Sequence, residues 1–169
     1  MSSDGNTDIS GIITFRLCGL CFGLPVSSVR EVVPVAWLDR PPHMPSLVQG
    51  VLNLGGQAVP VLRLDKLLGL GDGRYGMDAS ILVMRESERP LGLLVEHVDG
   101  VRAADQFTVM GLSDKSSFNG CLSDQLEQGG TVMQLLSWRN ILLVEERRRI
   151  ADFQAVAQTR LAELGVDQP

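Results

Sequence analysis

The segment that most constrains the fold is residues 50–70, which read GVLNLGGQAVPVLRLDKLLGL. Two apolar runs, VLNL and AVPVLRL, flank the dipeptide Gly55-Gly56. The tight turns that match the twist of paired strands need positive φ, which glycine adopts without steric cost. The segment therefore predicts a β-hairpin followed by a short helix over residues 65–68. Because Pro60 lacks an N–H, we expect one side of the second strand to be unpaired or near a sheet edge.

Short apolar runs bounded by glycine, proline and polar residues continue on both sides of this hairpin. In the first of them apolar and polar residues alternate, which is typical of a half-buried strand. Ser27-Ser28 precede a run that we interpret as a capped helical turn over residues 29–32, and the prolines of residues 40–45 indicate a loop. Strands are predicted at residues 12–18, 22–26, 35–38, 79–84, 91–95, 101–104, 118–122 and 131–136, with turns or loops at residues 86–89, 97–100 and 123–130.

Glycines dominate residues 69–76, GLGDGRYG, which we interpret as a flexible connector and the best candidate for an internal boundary. Residues 1–10 are polar, and we expect them to be disordered. Many short strands, glycine-rich turns and few helices together indicate a mainly β fold built from small barrels. This pattern does not indicate a function, because one fold can carry many functions.

From residue 138 onward the pattern changes to that of a helix, which we predict over residues 138–164. Apolar residues recur at intervals of seven, and most of the charged residues lie off this stripe. The simplest role for such a helix is to cover the barrels. The alternative is that its outer part binds a partner, as exposed helices often do. The stripe consists of Leu143, Ile150, Ala157 and Leu164, with Phe153 and Leu161 on neighbouring positions.

The composition argues against several classes of function. A formal net charge of −5 is opposite in sign to the basic footprint of nucleic-acid-binding domains. No apolar run approaches the roughly 18 residues that span a bilayer, and the polar N-terminus lacks the pattern of a secretory signal. We therefore expect a cytoplasmic protein that neither binds nucleic acid nor inserts into a membrane.

The residues that could carry chemistry are few and scattered. Cys18 and Cys21 have a CxxC spacing, but no second ligand pair accompanies them, and a structural zinc site needs four ligands. We interpret both as small apolar residues at a hairpin, and Cys121 as a core residue. His43 and His97 lie in no recognisable nucleophile arrangement. The sequence therefore predicts neither an enzyme nor a cofactor or metal site.

The chain resembles the CheW family of chemosensory adaptors in five segments that follow the family's order: FRLCGLCFGLPV, SVREVV, GVLNLGGQAVPVLRLDKLLGL, ILVM and PLGLLVEHVDGV. The resemblance implies a mainly β fold of two small five-stranded SH3-like β-barrels that share an apolar core, with short helices and a C-terminal α-helix. It also divides the chain into a disordered N-terminus (residues 1–10), a CheW-like domain of two barrel subdomains (11–147) and a C-terminal helical extension (148–169).

The same resemblance implies a non-enzymatic adaptor that couples a methyl-accepting chemoreceptor to a CheA-type histidine kinase. The expected partners are the regulatory domain of the kinase, the cytoplasmic tip of the receptor and other CheW-like adaptors. Such a protein is expected in the cytoplasm, recruited to receptor clusters at the membrane. The alternative is a structural interaction protein that binds only a sister adaptor or itself, without direct receptor coupling.

The resemblance places partner-binding residues in two of these segments. Val29 and Glu31 match positions that the family uses near its receptor contact, and Arg30 lies between them. Asn53 and Gly56 match the asparagine and the second glycine of the family motif G-x-x-N-L-R-G. We therefore expect these five residues, together with Gly55, Arg63 and Asp65, to contribute to partner binding.

Charged positions of the family differ in this chain. Gly55 stands where the motif carries arginine, the family's main charged contact, which commonly lies close to the acidic residue matched here by Glu31. Glycine removes a five-donor side chain and any ion pair. Arg63 and Asp65 exchange the order of acid and base in the family's P-V-I-D-L-R, so we expect a local pair of reversed polarity if Asp65 is extended. In addition, Glu96 replaces the family's aspartate.

These differences spare the apolar pattern and affect polar surface positions. They favour a specialised adaptor of an alternative chemosensory system, for which surface sensing, biofilm control and pilus-based motility are typical outputs. The other reading is that the arginine is dispensable and the protein is an ordinary adaptor. Restoring the arginine at Gly55 distinguishes the two.

Overall fold

The computed structural model describes residues 10–35, 37–85, 90–112 and 117–164. The turn expected at residues 86–89, the N-terminus before Ser10 and the last five residues lie outside these ranges, as do the side chains of Ile150 and Phe153. The described strands are β1 (Gly11–Leu17), β2 (Leu20–Pro25), β3 (Val29–Pro34), β4 (Val48–Leu54), β5 (Gln57–Arg63), β6 (Ser80–Met84), β7 (Gly92–Val95), β8 (His97–Ala103), β9 (Thr108–Val109), β10 (Leu122–Gln128) and β11 (Thr131–Leu136), and the α-helices are α1 (Leu64–Leu67) and α2 (Trp138–Glu163).

One sheet is built from both ends of the chain. Its strand order is β8-β1-β2-β11-β10-β9, so the N-terminal hairpin β1–β2 lies between strands from the C-terminal part. All neighbours are antiparallel except β2 and β11, which run parallel with Phe22 opposite Gln134. The first β-hairpin is therefore held in place by residues more than a hundred positions later.

The other sheet contains the middle of the chain, in the order β3-β6-β7-β5-β4. Its two edge strands approach each other where Asp39, in the segment after β3, forms a bridge with Val51 of β4. The Asp39 N–H donates to the Val51 carbonyl at 3.0 Å, and the Val51 N–H donates back at 2.8 Å. This bridge closes the sheet into a small barrel.

The structure confirms the predicted fold class, a mainly β fold with two sheets, short helices and a C-terminal helix. The first sheet has six described strands instead of five because the two-residue strand β9 pairs with β10. The predicted boundary at residues 69–76 does not separate the sheets, since the strands on either side of it, β5 and β6, belong to the same sheet. The chain passes from the first sheet to the second between β2 and β3, and it returns to the first sheet between β7 and β8.

The predicted hairpin is confirmed. The strands β4 and β5 are antiparallel, and their pairing runs from Val48 opposite Leu62 to Leu54 opposite Gln57. The turn residues Gly55 and Gly56 have φ of 60° and 89°. β5 is an interior strand, but its pairing with β7 begins only at Val61. Pro60 therefore has a partner on one side alone, as its missing N–H requires.

Three local predictions are wrong. Val29–Pro34 is a strand, and the helical turn is the preceding 3-10 segment Val26–Ser28, so the serines end the turn and do not cap it. Residues 35, 37 and 38, the described part of the strand predicted at residues 35–38, are not in a strand. Residues 97–100 are not a turn, because a bulge opposite Thr14 lets β8 run straight through Gly100 at φ 147°.

The predicted last strand pair is shifted. The polar segment expected to be a loop at residues 123–130 is mostly the strand β10, and its turn is Gly129-Gly130 alone. Residues 118–120, expected to be strand, form a turn in which Phe118 and Asn119 have positive φ. Only Leu122 and Leu126 of β10 are buried, so this strand lacks the alternation that marks β1.

A shared apolar core lies between the sheets. Phe15 and Phe22 of the first sheet stack at 6.0 Å between ring centroids and belong to one cluster with Leu82 and Leu93 of the second. Residues of β6 alternate between this cluster and the interior of the second barrel, where Ile81 lies. This explains why β6 is apolar on both faces.

The helix α2 is one continuous element over Trp138–Glu163, and among its described side chains the buried ones lie in the first turns. Ser137 caps it by accepting a hydrogen bond from the Asn140 N–H at 3.3 Å. Ile141 is fully buried and Glu145 nearly so. The described residues of the seven-residue stripe do not cover the barrels, because Leu143 and Leu164 are exposed and Ala157 is only half-buried.

Candidate functional site

The glycine and asparagine of the hairpin motif have structural roles. A Cβ on Gly50 would lie 2.7 Å from the Leu38 Cβ and 2.9 Å from the Asp39 carbonyl oxygen, because the segment that closes the barrel crosses β4 here. The Asn53 side-chain oxygen accepts a hydrogen bond from the Gly56 N–H at 2.8 Å. These residues therefore fix the position of the turn, whatever binds to it.

The turn itself is free of neighbours. A Cβ on Gly55 or on Gly56 would have no described atom within 4 Å. On the adjacent strand, the Arg30 guanidinium donates to the Gln57 side-chain oxygen at 3.5 Å and lies 3.8 Å from the Glu31 carboxylate. The structure thus brings Arg30, Glu31, Gly55 and Gly56 together at one end of the second barrel, and we call these four residues the hairpin surface.

Val29 lies beneath this surface. Its side chain is 5% exposed and belongs to the shared core, whereas Arg30 and Glu31 are exposed. A bulge between Val29 and Glu31 in the pairing with β6 turns these neighbours outward. Val29 therefore anchors this part of β3 in the core and so positions Arg30 and Glu31 at the surface.

Arg63 and Asp65 form the predicted ion pair at the opposite end of β5. Arg63 Nε donates to Asp65 Oδ1 at 2.9 Å, and Arg63 Nη2 donates to Asp65 Oδ2 at 2.6 Å. The premise of an extended Asp65 is wrong, since this residue lies in the first turn of α1. The bidentate ion pair forms nevertheless, because Arg63 is the last residue of the strand and lies directly before the helix.

The carboxylate of Asp65 is fully buried and accepts two further hydrogen bonds. The Lys66 N–H donates to Oδ1 at 2.9 Å, and the Gly73 N–H donates to Oδ2 at 2.8 Å. Burial alone would raise the pKa of Asp65, but the hydrogen bonds from Arg63 and Gly73 outweigh it and hold the pKa below its usual value. The same contact with Asp65 raises the pKa of Arg63. Both groups therefore stay charged at neutral pH.

This pair also orders the segment predicted to be a flexible connector. Besides the Gly73 contact, the Leu70 N–H donates to the Asp65 carbonyl at 2.8 Å, and the Arg63 guanidinium lies 5.1 Å from the centre of the Tyr75 ring. A Cβ on Gly73 would lie 2.7 Å from the Tyr75 hydroxyl. Residues 69–76 are therefore held against the ion pair by these contacts, and they are not the flexible connector that the sequence predicts.

A groove missed by the sequence reasoning lies next to the ion pair. It is lined by Val35, Trp37, Gln49 and Tyr75 among others, and Arg63 reaches it through a hydrogen bond from Nη1 to the Gln49 side chain at 3.4 Å. The Trp37 side chain is 88% exposed. We call this feature the Trp37 groove. A tryptophan followed by prolines was the only sequence signal, and it does not indicate exposure.

The hairpin surface and the Trp37 groove are separate. Gln57 and Arg63, which touch one surface each, are the first and last residues of β5. Six residues of extended strand correspond to about 20 Å. The two surfaces are therefore centred near opposite ends of β5.

The cysteines show no sign of redox activation. Burial, followed by the charge of Glu96, raises the pKa of Cys18, and burial, followed by the charge of Asp99, raises that of Cys21. A reactive CxxC thiol has a lowered pKa instead. Cys121 is fully buried, as predicted, and burial raises its pKa to about 11.

Within the described ranges, no group of three or more histidine, cysteine or acidic side chains is arranged to hold a metal ion. The same ranges contain no helix that is long and apolar enough to cross a membrane.

Glu96, which replaces the family's aspartate, accepts a hydrogen bond from the Cys18 N–H at 2.7 Å and so fixes the β1–β2 turn.

Comparison with known proteins agrees with this architecture. Residues 11–146 match the model of the CheW-like domain. The chain is 29% identical over 106 residues to the chemotaxis protein CheW of Thermotoga maritima, covering 62% of this chain and 70% of that protein. It is 32% identical over 88 residues to the protein FrzA of Myxococcus xanthus, covering 52% of this chain and about half (55%) of FrzA.

A solved structure extends the likeness to the fold. The scaffolding protein TtCheW from Thermoanaerobacter tengcongensis superimposes with a TM-score of 0.67 at 20% identity, covering 82% of this chain and 90% of the other. The two-sheet architecture and the family match together define a β-barrel protein of the CheW-like class. The chain belongs to the CheW family.

Proposed function

We propose that this chain is a non-enzymatic scaffolding adaptor that couples a methyl-accepting chemoreceptor to a CheA-type histidine kinase. The observation that supports the proposal is that two candidate surfaces, the hairpin surface and the Trp37 groove, occur on the same barrel. A coupling protein has to hold two partners at once, and the hairpin surface and the Trp37 groove lie at opposite ends of β5. The family membership supplies the classes of partner.

We assign the receptor tip to the hairpin surface. The positions of Glu31 and Gly55 match those that the family resemblance places near the receptor contact. Arg30 supplies a positive charge here, 3.8 Å from Glu31, on a strand beside the turn. This exposed charge takes part of the role that the missing motif arginine would have, with charges setting specificity more than affinity.

We assign the regulatory domain of the kinase to the Trp37 groove. An exposed tryptophan beside a concave surface is the kind of residue that dominates the energy of protein interfaces. Val35, which lines the groove, is 37% exposed and adds apolar surface beside Trp37. An interface of about 1,200–2,000 Å² anchored in this way supports micromolar to nanomolar binding.

The absence of the motif arginine supports a specialised adaptor, one that serves an alternative chemosensory system with an output such as surface sensing, biofilm control or pilus-based motility. The backbone at Gly55 is left-handed, with φ of 60°. A non-glycine residue there costs about 1–2 kcal/mol, so glycine relaxes the turn as well as removing the charge. This hairpin therefore differs from one with arginine at position 55 both in the strain of its turn and in its charge.

The test of the assignment is a titration of the purified chain with the kinase regulatory domain and with the receptor tip encoded in the same genome. We expect Trp37→Ala to weaken kinase binding by roughly 30-fold, equivalent to about 2 kcal/mol, and to leave receptor binding unchanged. The control is Val109→Ala, which removes an exposed apolar side chain from the other sheet. Equal effects of both variants on kinase binding would contradict the assignment.

A second titration tests the specialisation. Gly55→Arg and Gly55→Gln impose the same backbone cost, so any difference between them reports the charge. We expect Gly55→Arg to change receptor affinity relative to Gly55→Gln. If the two variants bind receptor and kinase alike, the arginine is dispensable and the protein is an ordinary adaptor.

A further inference from the structure

The second half of α2 is the least covered part of the helix. None of the described side chains of residues 151–164 is buried, whereas Ile141 and Glu145 in the first turns are. Helical segments of this length gain most of their stability from packing and are marginal without it. The outer half of α2 therefore presents a surface that a partner can stabilise.

The apolar residues of this surface follow the period of a coiled coil. Leu143 and Leu164 lie on one stripe with a spacing that is a multiple of seven, and Leu161 lies beside it; they are 46%, 74% and 50% exposed. A strict seven-residue repeat keeps one face toward a second helix, because it matches 3.5 residues per turn. This argues for a helical partner with the same period rather than for a flat surface.

We propose that the exposed stripe of α2, over residues 143–164, pairs in antiparallel orientation with the same segment of a second copy of this chain. With Leu143 and Leu164 in the first seam position, Glu146 and Arg160 fall in the second seam position. A parallel pair would place each of these charges against its own copy, which is unfavourable. The antiparallel pair separates them.

The flanking charges complement each other only in the antiparallel arrangement. Arg149 and Glu163 occupy equivalent positions on one flank, two heptads apart. In an antiparallel pair the same flanks of both helices meet, so Arg149 of each copy faces Glu163 of the other, and the twofold axis gives two such pairs. Arg149 is 4.0 Å from Glu145 of its own helix, at the limit of an ion pair, and so remains available to a second carboxylate.

The contact is short, and a weak, reversible dimer is expected. The stripe from Leu143 to Leu164 spans about 32 Å of helix, and two of its seam positions are charged. Its area is below that of standard stable interfaces, which bury about 1,200–2,000 Å². This dimer uses neither the hairpin surface nor the Trp37 groove, so it is independent of the proposed coupling function.

The test is sedimentation velocity on the full chain from about 5 to about 500 μM. We expect self-association in this range, and we expect Leu161→Lys to raise the dimer dissociation constant at least about tenfold, because the added charge meets Arg147 of the other copy. The matched control is Ala162→Lys, which adds the same charge to an exposed position on the face turned away from the seam and should leave the constant unchanged. A chain that stays monomeric at every concentration overturns the proposal, and so do equal effects of the two variants.

Cross-linking tests the orientation. In the antiparallel register, position 154 lies beside position 154 of the other copy, so Gln154→Cys should form a disulfide-linked dimer on mild oxidation. Positions 146 of the two copies are then about 27 Å apart, and Glu146→Cys should form none above the level of the unmodified chain. Selective cross-linking of Glu146→Cys would show a parallel pair and would overturn the antiparallel proposal.

Discussion

Replacing Asp65 by asparagine tests whether the buried ion pair holds the second barrel and its connector together. Asparagine keeps the volume of the side chain but removes its charge, so both hydrogen bonds from Arg63 lose their ionic partner. Charge-assisted hydrogen bonds contribute about 1.5–3 kcal/mol each, and breaking a buried pair typically costs about 3–5 kcal/mol. Arg63 keeps some solvent contact, with its side chain 14% exposed, so we expect a loss near the lower end, about 3 kcal/mol.

The assay is urea unfolding at pH 7, with Asp72→Asn as the matched control. Asp72 lies 3.5 Å from the same guanidinium nitrogen, but its side chain is 88% exposed, so its removal should cost less than about 1 kcal/mol. The two variants thus remove one carboxylate each from the same arginine and differ in burial. A loss below about 1 kcal/mol for Asp65→Asn, or one equal to that of Asp72→Asn, would refute the reasoning.

The pH dependence gives a second reading of the same variant. The pKa of Asp65 is lowered in the folded protein, so its contribution to stability is present above the unfolded value of about 3.9 and is lost as the pH falls through the folded pKa. The difference in unfolding free energy between the natural chain and Asp65→Asn should therefore be constant from pH 7 to about 5 and shrink below about pH 4. A difference that persists at lower pH would mean that the charge of Asp65 is not what stabilises the fold.

Further predictions concern packing, polarity and thiol reactivity. Gly50→Ala should destabilise the fold by about 1–3 kcal/mol in urea unfolding, because its Cβ would meet the chain that closes the barrel; an unchanged midpoint would contradict this. The reversal Arg63→Asp with Asp65→Arg should unfold the chain or lower its Tm by more than Asp65→Asn does, since position 65 is fully buried; a folded double variant of natural Tm would show that the polarity is interchangeable. Cys121, with its pKa raised to about 11 by burial, should resist iodoacetamide at pH 8 until urea is added, and mass spectrometry of the intact chain would reveal earlier labelling.

The parts of the fold that local sequence determines were predictable. The turn at Gly55-Gly56 was, because positive φ at two successive residues leaves few alternatives to glycine. The Arg63–Asp65 pair was also predicted, although its backbone is the junction of a strand and a helix. Side chains two positions apart can meet both in an extended strand and at the junction of a strand and a helix. The prediction of the pair therefore did not depend on the wrong assumption that Asp65 is extended.

The parts that depend on distant residues were not predictable. β3 is a strand because β6, about fifty residues later, pairs with it, whereas the local sequence, with Ser27-Ser28 ahead of it, is typical of a capped helical turn. The Trp37 groove forms between the segment after β3 and the connector, which no spacing in the sequence brings together. The seven-residue stripe of α2 was read correctly as a pattern, but periodicity does not say whether an apolar face meets the chain's own core or lies at the surface.

The most direct test of the coupling function is a bridging measurement. The receptor tip is immobilised, and the kinase regulatory domain is passed over it with and without the chain at saturating concentration. We predict that the kinase domain is retained only in the presence of the chain, and that Trp37→Ala reduces its retention as expected for roughly 30-fold weaker binding, while the chain itself stays bound. Retention of the chain with no recruitment of the kinase domain, or competition between the two partners for the chain, would contradict the two-surface account.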